Sequence, residues 1–165
     1  MSSVYDSVRS IAKGRARKLR TTPERSRIMR AVRQKGTDAE LLVRQGLRRL
    51  GIHYSANVTS LPGRPDLANR RRRFAVFVNG CFWHRHPGCR RATTPKKNRW
   101  FWVDKFEANR RRDRRRTADL RKLGYDVLIV WECQAEQPEV LRKRLEAFLK
   151  ESRRPNKPRS TTRSS

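Results

Sequence analysis

Two uninterrupted apolar runs place the tightest limit on what this chain can fold into. The first run is Phe74–Val78, and the second is the part of Asp126–Trp131 that follows its leading Asp. They stand out in a chain of which 35% of the residues are charged. A short run without polar alternation is typical of a strand that is covered on both faces. We therefore predict two buried central strands, with helices packed on the sheet that contains them.

The segments around these runs predict four helices. Thr22-Pro23 has the form of a helix start, a capping hydroxyl followed by proline, and Thr37-Asp38-Ala39-Glu40 has the form of a capping box. Apolar residues at helical spacing support the second helix at Leu41, Leu42, Leu47 and Leu50, and the last at Val140, Leu141, Leu145 and Phe148. The first predicted helix begins near Thr22. The other three run from Thr37 to Gly51, from Asn98 to Leu123 and from Gln137 to Lys150.

Two shorter strands are predicted before the first apolar run. Polar and apolar residues alternate from Ile52 to Val58, as in a half-buried strand, and a short extended piece starts at Asp66 after a turn at residues 61–65. The resulting order is α-α-β-β-β-α-β-α. We therefore predict an α/β domain with a small mixed sheet flanked by helices.

The positive charge is not confined to the ends of the chain. Lys plus Arg number 43 against 15 Asp plus Glu, a net charge of +28. We expect residues 1–20 to be a mobile basic arm and 151–165 a disordered basic tail. The domain between them, 21–150, still carries 32 cations and 13 acids. A folded domain with this charge indicates a nucleic-acid partner, since the Arg fork binds two phosphate oxygens at once.

Membrane and secreted proteins are disfavoured. No apolar run approaches the ~18 residues of a membrane span, and residues 1–20 contain no apolar signal-peptide block. The three cysteines are an odd number, which argues against a closed disulfide framework. We expect a reduced setting, cytoplasmic or nucleoid-associated.

All three cysteines belong to one predicted metal site. Cys81, His86 and Cys89 follow the first apolar run, and Cys133 follows the second. If the two strands are neighbours, their ends meet, and three thiolates with one imidazole form a closed, structural zinc site. His84 has a comparable spacing and is the alternative histidine ligand. Buried cysteines beside an incidental histidine would explain the pattern without a metal.

A candidate catalytic site adjoins the zinc site. Asp66 follows a turn and opens an extended segment beside the first apolar run, where a carboxylate could hold Mg²⁺ against a phosphate. Ordinary turn chemistry also explains this Asp. His84, if it is not a zinc ligand, could take a proton from an attacking water. We interpret His53 as structural.

Aromatic residues lie among the cations near this site. Phe82 and Trp83 fall in a short polar loop, and Trp100-Phe101-Trp102 opens the basic helix. Large aromatics in such a loop are suited to stacking on bases or to wedging between them. We expect Phe101 to be a core residue. The Arg110–Arg116 stretch would attract phosphates even as an ordinary solvated helix face.

Four segments resemble the very short patch repair (Vsr) DNA mismatch endonucleases. They are residues 25–30 (Arg-Ser-Arg-Ile-Met-Arg), 60–66 (Ser-Leu-Pro-Gly-Arg-Pro-Asp), 80–84 (Gly-Cys-Phe-Trp-His) and 130–133 (Val-Trp-Glu-Cys). The resemblance implies a restriction-endonuclease-like (PD-(D/E)XK-type) α/β fold, a structural zinc and Mg²⁺-dependent nicking of one strand 5′ to the thymine of a T·G mismatch. Such mismatches arise when 5-methylcytosine is deaminated, so the implied partners are mismatched duplex DNA, a companion cytosine methyltransferase and mismatch-repair proteins. A monomer suffices for a nick in one strand.

The resemblance also implies roles for individual residues. Asp66 and the backbone carbonyl of Val78 would bind Mg²⁺, His84 would be the general acid/base, and Glu40 would orient metal-bound water. The implied DNA wedge is Phe82, Trp83 and Trp102, and the implied zinc ligands are Cys81, His86, Cys89 and Cys133.

One position departs from the family pattern and keeps other functions open. Asn79 stands where the family has an ionisable residue, and an amide carries neither a proton nor a charge. A catalytically inert, zinc-stabilised DNA-binding module is therefore an alternative. A basic RNA-binding protein and a nuclease of the same fold with another DNA substrate are the others.

Overall fold

A computed structural model of the chain describes Thr22, Glu24, Arg27 and residues 36–152. The predicted arm at 1–20 lies outside these residues. So do the predicted tail from residue 153 onward and most of the helix predicted from Thr22, of which Glu24 and Arg27 are helical. Within the described helices, none is both long enough and apolar enough to cross a membrane.

Both apolar runs form strands of one four-stranded mixed sheet. In chain order the strands are β1 (Ser55–Ala56), β2 (Leu67–Asn69), β3 (Phe74–Asn79) and β4 (Asp126–Trp131), and their order in the sheet is the same. β1, β2 and β3 pair antiparallel, whereas β3 and β4 are parallel. The register places Asn79 opposite Trp131, so β3 and β4 terminate side by side. β3 is a central strand as predicted, whereas β4 is an edge strand and not a central one. The parallel pair requires a long crossover connection.

Four described helices cover the sheet: α1 (Asp38–Arg49), α2 (Arg99–Lys122), α3 (Glu132–Ala135) and α4 (Pro138–Glu151). The crossover helix α2 packs Leu120 against one face of the sheet, where Ala75 and Phe77 are buried. α1 and α4 pack on the other face, against Phe74 and Val76. Successive side chains of β3 therefore enter two different cores, which explains its uninterrupted apolar sequence. The predicted mixed sheet with flanking helices is confirmed.

Local details differ from the sequence predictions. The strand predicted from Ile52 to Val58 is reduced to Ser55–Ala56. It ends there because Asn57 adopts a left-handed conformation (φ 50°) and bends the chain, and residues 52–54 do not pair with the sheet. Leu41 and Val140 are 45% and 36% exposed because each lies beside the buried stripe of its helix rather than on it. That stripe consists of Ala39, Val43 and Leu47 in α1, and of Leu141, Leu145 and Leu149 in α4. Helix α3, between β4 and α4, was not predicted.

Candidate active site and metal centre

A tight turn and one backbone hydrogen bond position Asp66 beside the C-terminal end of β3. Gly63 has a φ of +72°, and a Cβ at this position would lie 2.3 Å from the Arg116 Cβ, so only glycine lets the turn approach α2 this closely. Asp66 precedes β2 directly, and its Oδ2 accepts a hydrogen bond of 2.8 Å from the Val78 backbone N–H. The carboxylate predicted to bind metal is therefore anchored to the central strand.

The surroundings of Asp66 favour a cation. Burial raises the pKa of the Asp66 carboxyl, and the negative charge of Glu40 raises it further. The hydrogen bond from Val78 and the charges of Arg116 and Arg44 act in the opposite direction but do not cancel the increase in pKa. A divalent cation would offset the desolvated negative charge, and carboxylate oxygens are the ligands that Mg²⁺ prefers. The donor set fits the predicted ion.

Glu40 lies in the first turn of α1 and is only 3% exposed. Its Oε2 accepts a hydrogen bond of 2.9 Å from the Gly36 N–H, and its own N–H donates to Thr37 Oγ1 at 3.3 Å. Thr37 therefore caps the helix as predicted, but the Glu40 carboxylate accepts from the residue before the N-cap, so only half of the predicted capping box forms. Arg44 Nη2 lies 3.6 Å from Glu40 Oε2. These contacts hold Glu40 where its charge acts on Asp66.

His84 is held by a carboxylate that the sequence did not reveal as functional. Its Nδ1 lies 2.5 Å from Asp113 Oδ2, and both side chains are largely buried. A His Nδ1–H that donates to a carboxylate leaves Nε2 as a proton acceptor, which is the tautomer that a general base needs. Asp113 is the only acid within the Arg110–Arg116 stretch, and that interruption was the one signal available in the sequence.

Arg116 connects the two halves of the site. Its Nη2 donates to Asn79 Oδ1 at 2.7 Å and lies 3.3 Å from Asp113 Oδ1. Its guanidinium carbon lies 3.8 Å from the centre of the Phe77 ring, a cation–π contact. Because its positive charge also acts on Asp66, Arg116 links the residues near β2 to the His84–Asp113 pair. The sequence did not single it out.

The four predicted zinc ligands come together as a cluster. One ligand atom from each of Cys81, His86, Cys89 and Cys133 lies within 4.8 Å of all the others. The His86 Nδ1 is 3.6 Å from the Cys81 Sγ and 3.3 Å from the Cys133 Sγ. Ligand atoms around a tetrahedral zinc ion with Zn–S of ~2.3 Å lie roughly 3.5–3.8 Å apart. The cluster therefore fits a zinc ion, and His86, not His84, joins it.

Contacts outside the cluster hold its ligands in place. The His86 ring stacks on Trp131, with centroids 4.4 Å apart and planes inclined by 14°. The Cys81 N–H donates to Glu132 Oε2 at 3.2 Å. Arg91 makes a two-pronged ion pair of 2.8 and 2.6 Å with Glu136, so the loop after β3 is tied to α3 and its C-cap. Burial raises the pKa of the Cys81 thiol to about 12, and bound zinc would reverse this increase because it binds the thiolate.

The predicted wedge residues form part of an aromatic cluster. Phe82 makes edge-to-face contacts with Trp83, Trp102 and Phe106, at centroid distances of 5.2, 5.4 and 5.2 Å. Phe82 and Trp83 are half-buried, whereas Trp102 is only 9% exposed. Phe101, expected in the core, is half-buried. The cluster therefore presents Phe82 and Trp83 from a packed base of Trp102 and Phe106, and Phe106 was not predicted.

The sequence of the chain is similar to those of known DNA endonucleases. A family model described as DNA mismatch endonuclease Vsr matches residues 18–91. The type II nicking enzyme V.XorIIP of Xanthomonas oryzae pv. oryzae is 42% identical over 131 residues, which cover 79% of this chain and 96% of that enzyme. The DNA mismatch endonuclease Vsr of Escherichia coli is 38% identical over 130 residues, 76% of this chain and 83% of that protein. The type II nicking enzyme V.NmeAIP of Neisseria meningitidis is 36% identical over 79% of this chain and 93% of its own.

Proposed function

Because the chain belongs to the Vsr family and is a DNA endonuclease, we propose that it nicks one strand of duplex DNA 5′ to the thymine of a T·G mismatch. The proposed reaction is Mg²⁺-dependent hydrolysis of a phosphodiester, on a restriction-endonuclease-like (PD-(D/E)XK-type) fold. The protein would act in a bacterial cytoplasm on mismatches left by deamination of 5-methylcytosine. Its proposed functional companions are a cytosine methyltransferase and mismatch-repair proteins, and it would nick as a monomer.

One observation supports this proposal above the others. A desolvated carboxylate, Asp66, and a histidine held by a carboxylate, His84 with Asp113, are brought to the same edge of the sheet and are joined through Arg116. A metal-binding acid beside a general base is the arrangement that phosphodiester hydrolysis requires. A DNA-binding module that catalyses no reaction does not require this arrangement.

The proposed roles follow from these contacts. Asp66 and the Val78 backbone carbonyl would hold Mg²⁺, which supplies a lower pKa for bound water and neutralises charge on the phosphate. Glu40 would orient the attacking water. His84 Nε2 accepts the proton of that water as its oxygen bonds to phosphorus, and the bond from phosphorus to the leaving sugar oxygen breaks. That oxygen takes a proton from solvent, and Asp113 stabilises the imidazolium.

Zinc and the aromatic cluster would have supporting roles. A zinc ion bound by Cys81, His86, Cys89 and Cys133 would close the loop that carries His84 onto the end of β4. Phe82 and Trp83 would wedge into the duplex beside the mismatch, with Trp102 as the packed base of that wedge. Exposed arginines of α2 would bind the flanking phosphates.

The proposal is tested by a nicking assay with mapped product ends. A labelled duplex with one T·G mismatch and its T·A counterpart are incubated with Mg²⁺ and either wild type, Asp66→Ala or Asp126→Ala. Asp126 is exposed and lies opposite Phe74, at the far end of the β3–β4 pair, so it serves as a matched control. We expect a nick 5′ to the mismatched thymine, and a loss of at least about 100-fold for Asp66→Ala only.

The same assay separates the alternatives. If wild type and Asp66→Ala both bind the duplex and neither nicks it, the protein is an inert DNA-binding module. If T·A and T·G duplexes are nicked equally at one sequence, it is a nuclease with another DNA substrate. Tighter binding to single-stranded RNA than to either duplex would instead favour the RNA-binding alternative.

A further inference from the structure

Arg116 is held in one position by contacts with its guanidinium and with its methylene groups. Nη2 donates to Asn79, the guanidinium covers Phe77, and the close approach of Gly63 confines its methylene groups. The side chain is only 13% exposed. A guanidinium fixed in this way has lost most of its rotamer freedom before any ligand arrives, which lowers the entropic cost of using it in binding.

The guanidinium has more binding capacity than the protein uses. Its Nε is buried and has no hydrogen-bond acceptor among the described residues. A buried, unsatisfied donor costs free energy, and the cost is greater for a charged group. Replacing a buried ion pair by apolar residues is often neutral or stabilising, so stability alone is a weak reason for an arginine here.

The charges around Asp66 indicate which kind of ligand the Arg116 guanidinium would bind. Glu40 is paired with Arg44, and Asp113 is shared between His84 and Arg116. A phosphodiester placed against Asp66 adds one negative charge, and a second develops as water attacks phosphorus. Asn79 contributes no charge. Arg116 and Arg44 are the described cations whose charges act on Asp66, and of the two it is Arg116 that contacts Asp113, the partner of His84.

We propose that Arg116 is a catalytic residue that binds the scissile phosphate and stabilises the charge that develops on it. Asn79 is then a positioning residue, which orients the guanidinium through the bond to Nη2. Arginine side chains that clamp a reacting phosphoryl group are a general way to stabilise such transition states. The inference rests on the proposed function, since it requires that a phosphodiester occupies this site.

The experiment measures whether Arg116 senses the charge of one phosphate. Duplexes are prepared with a normal or an uncharged methylphosphonate linkage at the mapped nick position, and binding is measured without Mg²⁺ for wild type, Arg116→Gln and Arg115→Gln. Arg115 is the neighbouring residue of α2 and its side chain is 86% exposed, so it serves as a matched control. Native mass spectrometry and thermal melts verify that each variant holds the same metal and is folded.

We expect the methylphosphonate to weaken wild-type binding by about 10-fold or more, because a charge-assisted hydrogen bond is lost. Arg115→Gln lowers overall affinity and keeps this penalty, whereas Arg116→Gln binds both duplexes equally. Nicking should fall mainly in kcat for Arg116→Gln and be partly restored in Arg116→Lys, which keeps the charge but lacks the planar fork that binds two oxygens at once. An undiminished methylphosphonate penalty in Arg116→Gln would overturn the inference. Absence of nicking by the wild type would instead overturn the proposed function.

Discussion

Removal of one cysteine should show how much the metal centre contributes to the fold. Cys133 lies in α3, whereas Cys81, His86 and Cys89 lie in the loop after β3, so Cys133 alone supplies the long-range connection. A link from Cys89 to Cys133 closes a loop of roughly 44 residues, and the chain-entropy relation for such a link gives about 4 kcal/mol. For a domain of this size that corresponds to a decrease in Tm of roughly 15 °C.

The assay compares wild type with Cys133→Ala, each with zinc and after treatment with a chelator. Native mass spectrometry should find one zinc ion in the wild type and none in the variant, and thermal denaturation should show the decrease in Tm. After chelation the two proteins should melt within a few degrees of each other, because only the packing of one half-buried side chain then differs. A wild type that holds no zinc and melts at the same temperature with and without chelator would refute the reasoning.

Three further predictions concern the active site. His84→Ala should abolish nicking while native mass spectrometry still finds zinc, because the cluster uses His86; loss of zinc would show that the two roles are exchanged. Trp83→Ala should reduce the preference for T·G over T·A duplexes in competition binding, and the salt dependence of duplex affinity should stay nearly unchanged; an equal loss of both would contradict the wedge. Asp66→Asn should raise the Tm at pH 7 in Mg²⁺-free buffer, by about 2–4 °C. Burial raises the pKa of Asp66, so the native state binds its proton more tightly than the unfolded state, and stability falls as pH rises above about 3.8. The advantage of Asp66→Asn should therefore shrink in melts as the pH is lowered toward 4, and a constant advantage would argue against burial as the cause.

Short-range patterns in the sequence predicted the elements well where one physical cause acts locally. Helix α2 was predicted from Asn98 to Leu123 and runs from Arg99 to Lys122, with Gly124 (φ +79°) just beyond its end. Both β3 and β4 were predicted from their apolar runs. β3 is buried on both faces, which leaves no polar alternation, whereas β4 buries Leu128 and Val130 on one face and only half-buries Val127, Ile129 and Trp131 on the other. The length of the strand from Ile52 to Val58 was overestimated, since the left-handed conformation of Asn57 near the end of the segment leaves the alternation of polar and apolar residues unchanged.

The Cys/His cluster was predictable because only one tertiary contact, the pairing of β3 with β4, is needed to bring its distant member to the other three. Cys81, His86 and Cys89 are close in sequence, and Cys133 joins them once the two apolar strands lie side by side in parallel. The pairing of Asn79 with Trp131 supplies that arrangement. The choice between His84 and His86 as the metal ligand was not predictable, because both spacings allow a ligand. It depends on a tertiary contact, in which Asp113 of α2 binds the His84 ring.

The sequence by itself determined the apolar strands of the sheet, the positive charge of the domain and which cysteine, histidine and acidic side chains are candidates for binding metal. Tertiary structure alone decided that Asp113 holds His84, that Arg116 bridges Asn79 and Asp113, and that Trp102 packs against the half-buried Phe82 and Trp83. These partners are separated by 29 and 37 residues in the two hydrogen bonds concerned. Helical periodicity fixes which residues of α2 share a face, but the angle and height at which that face crosses the sheet come from side-chain packing, and that packing selects the residues that reach the active site.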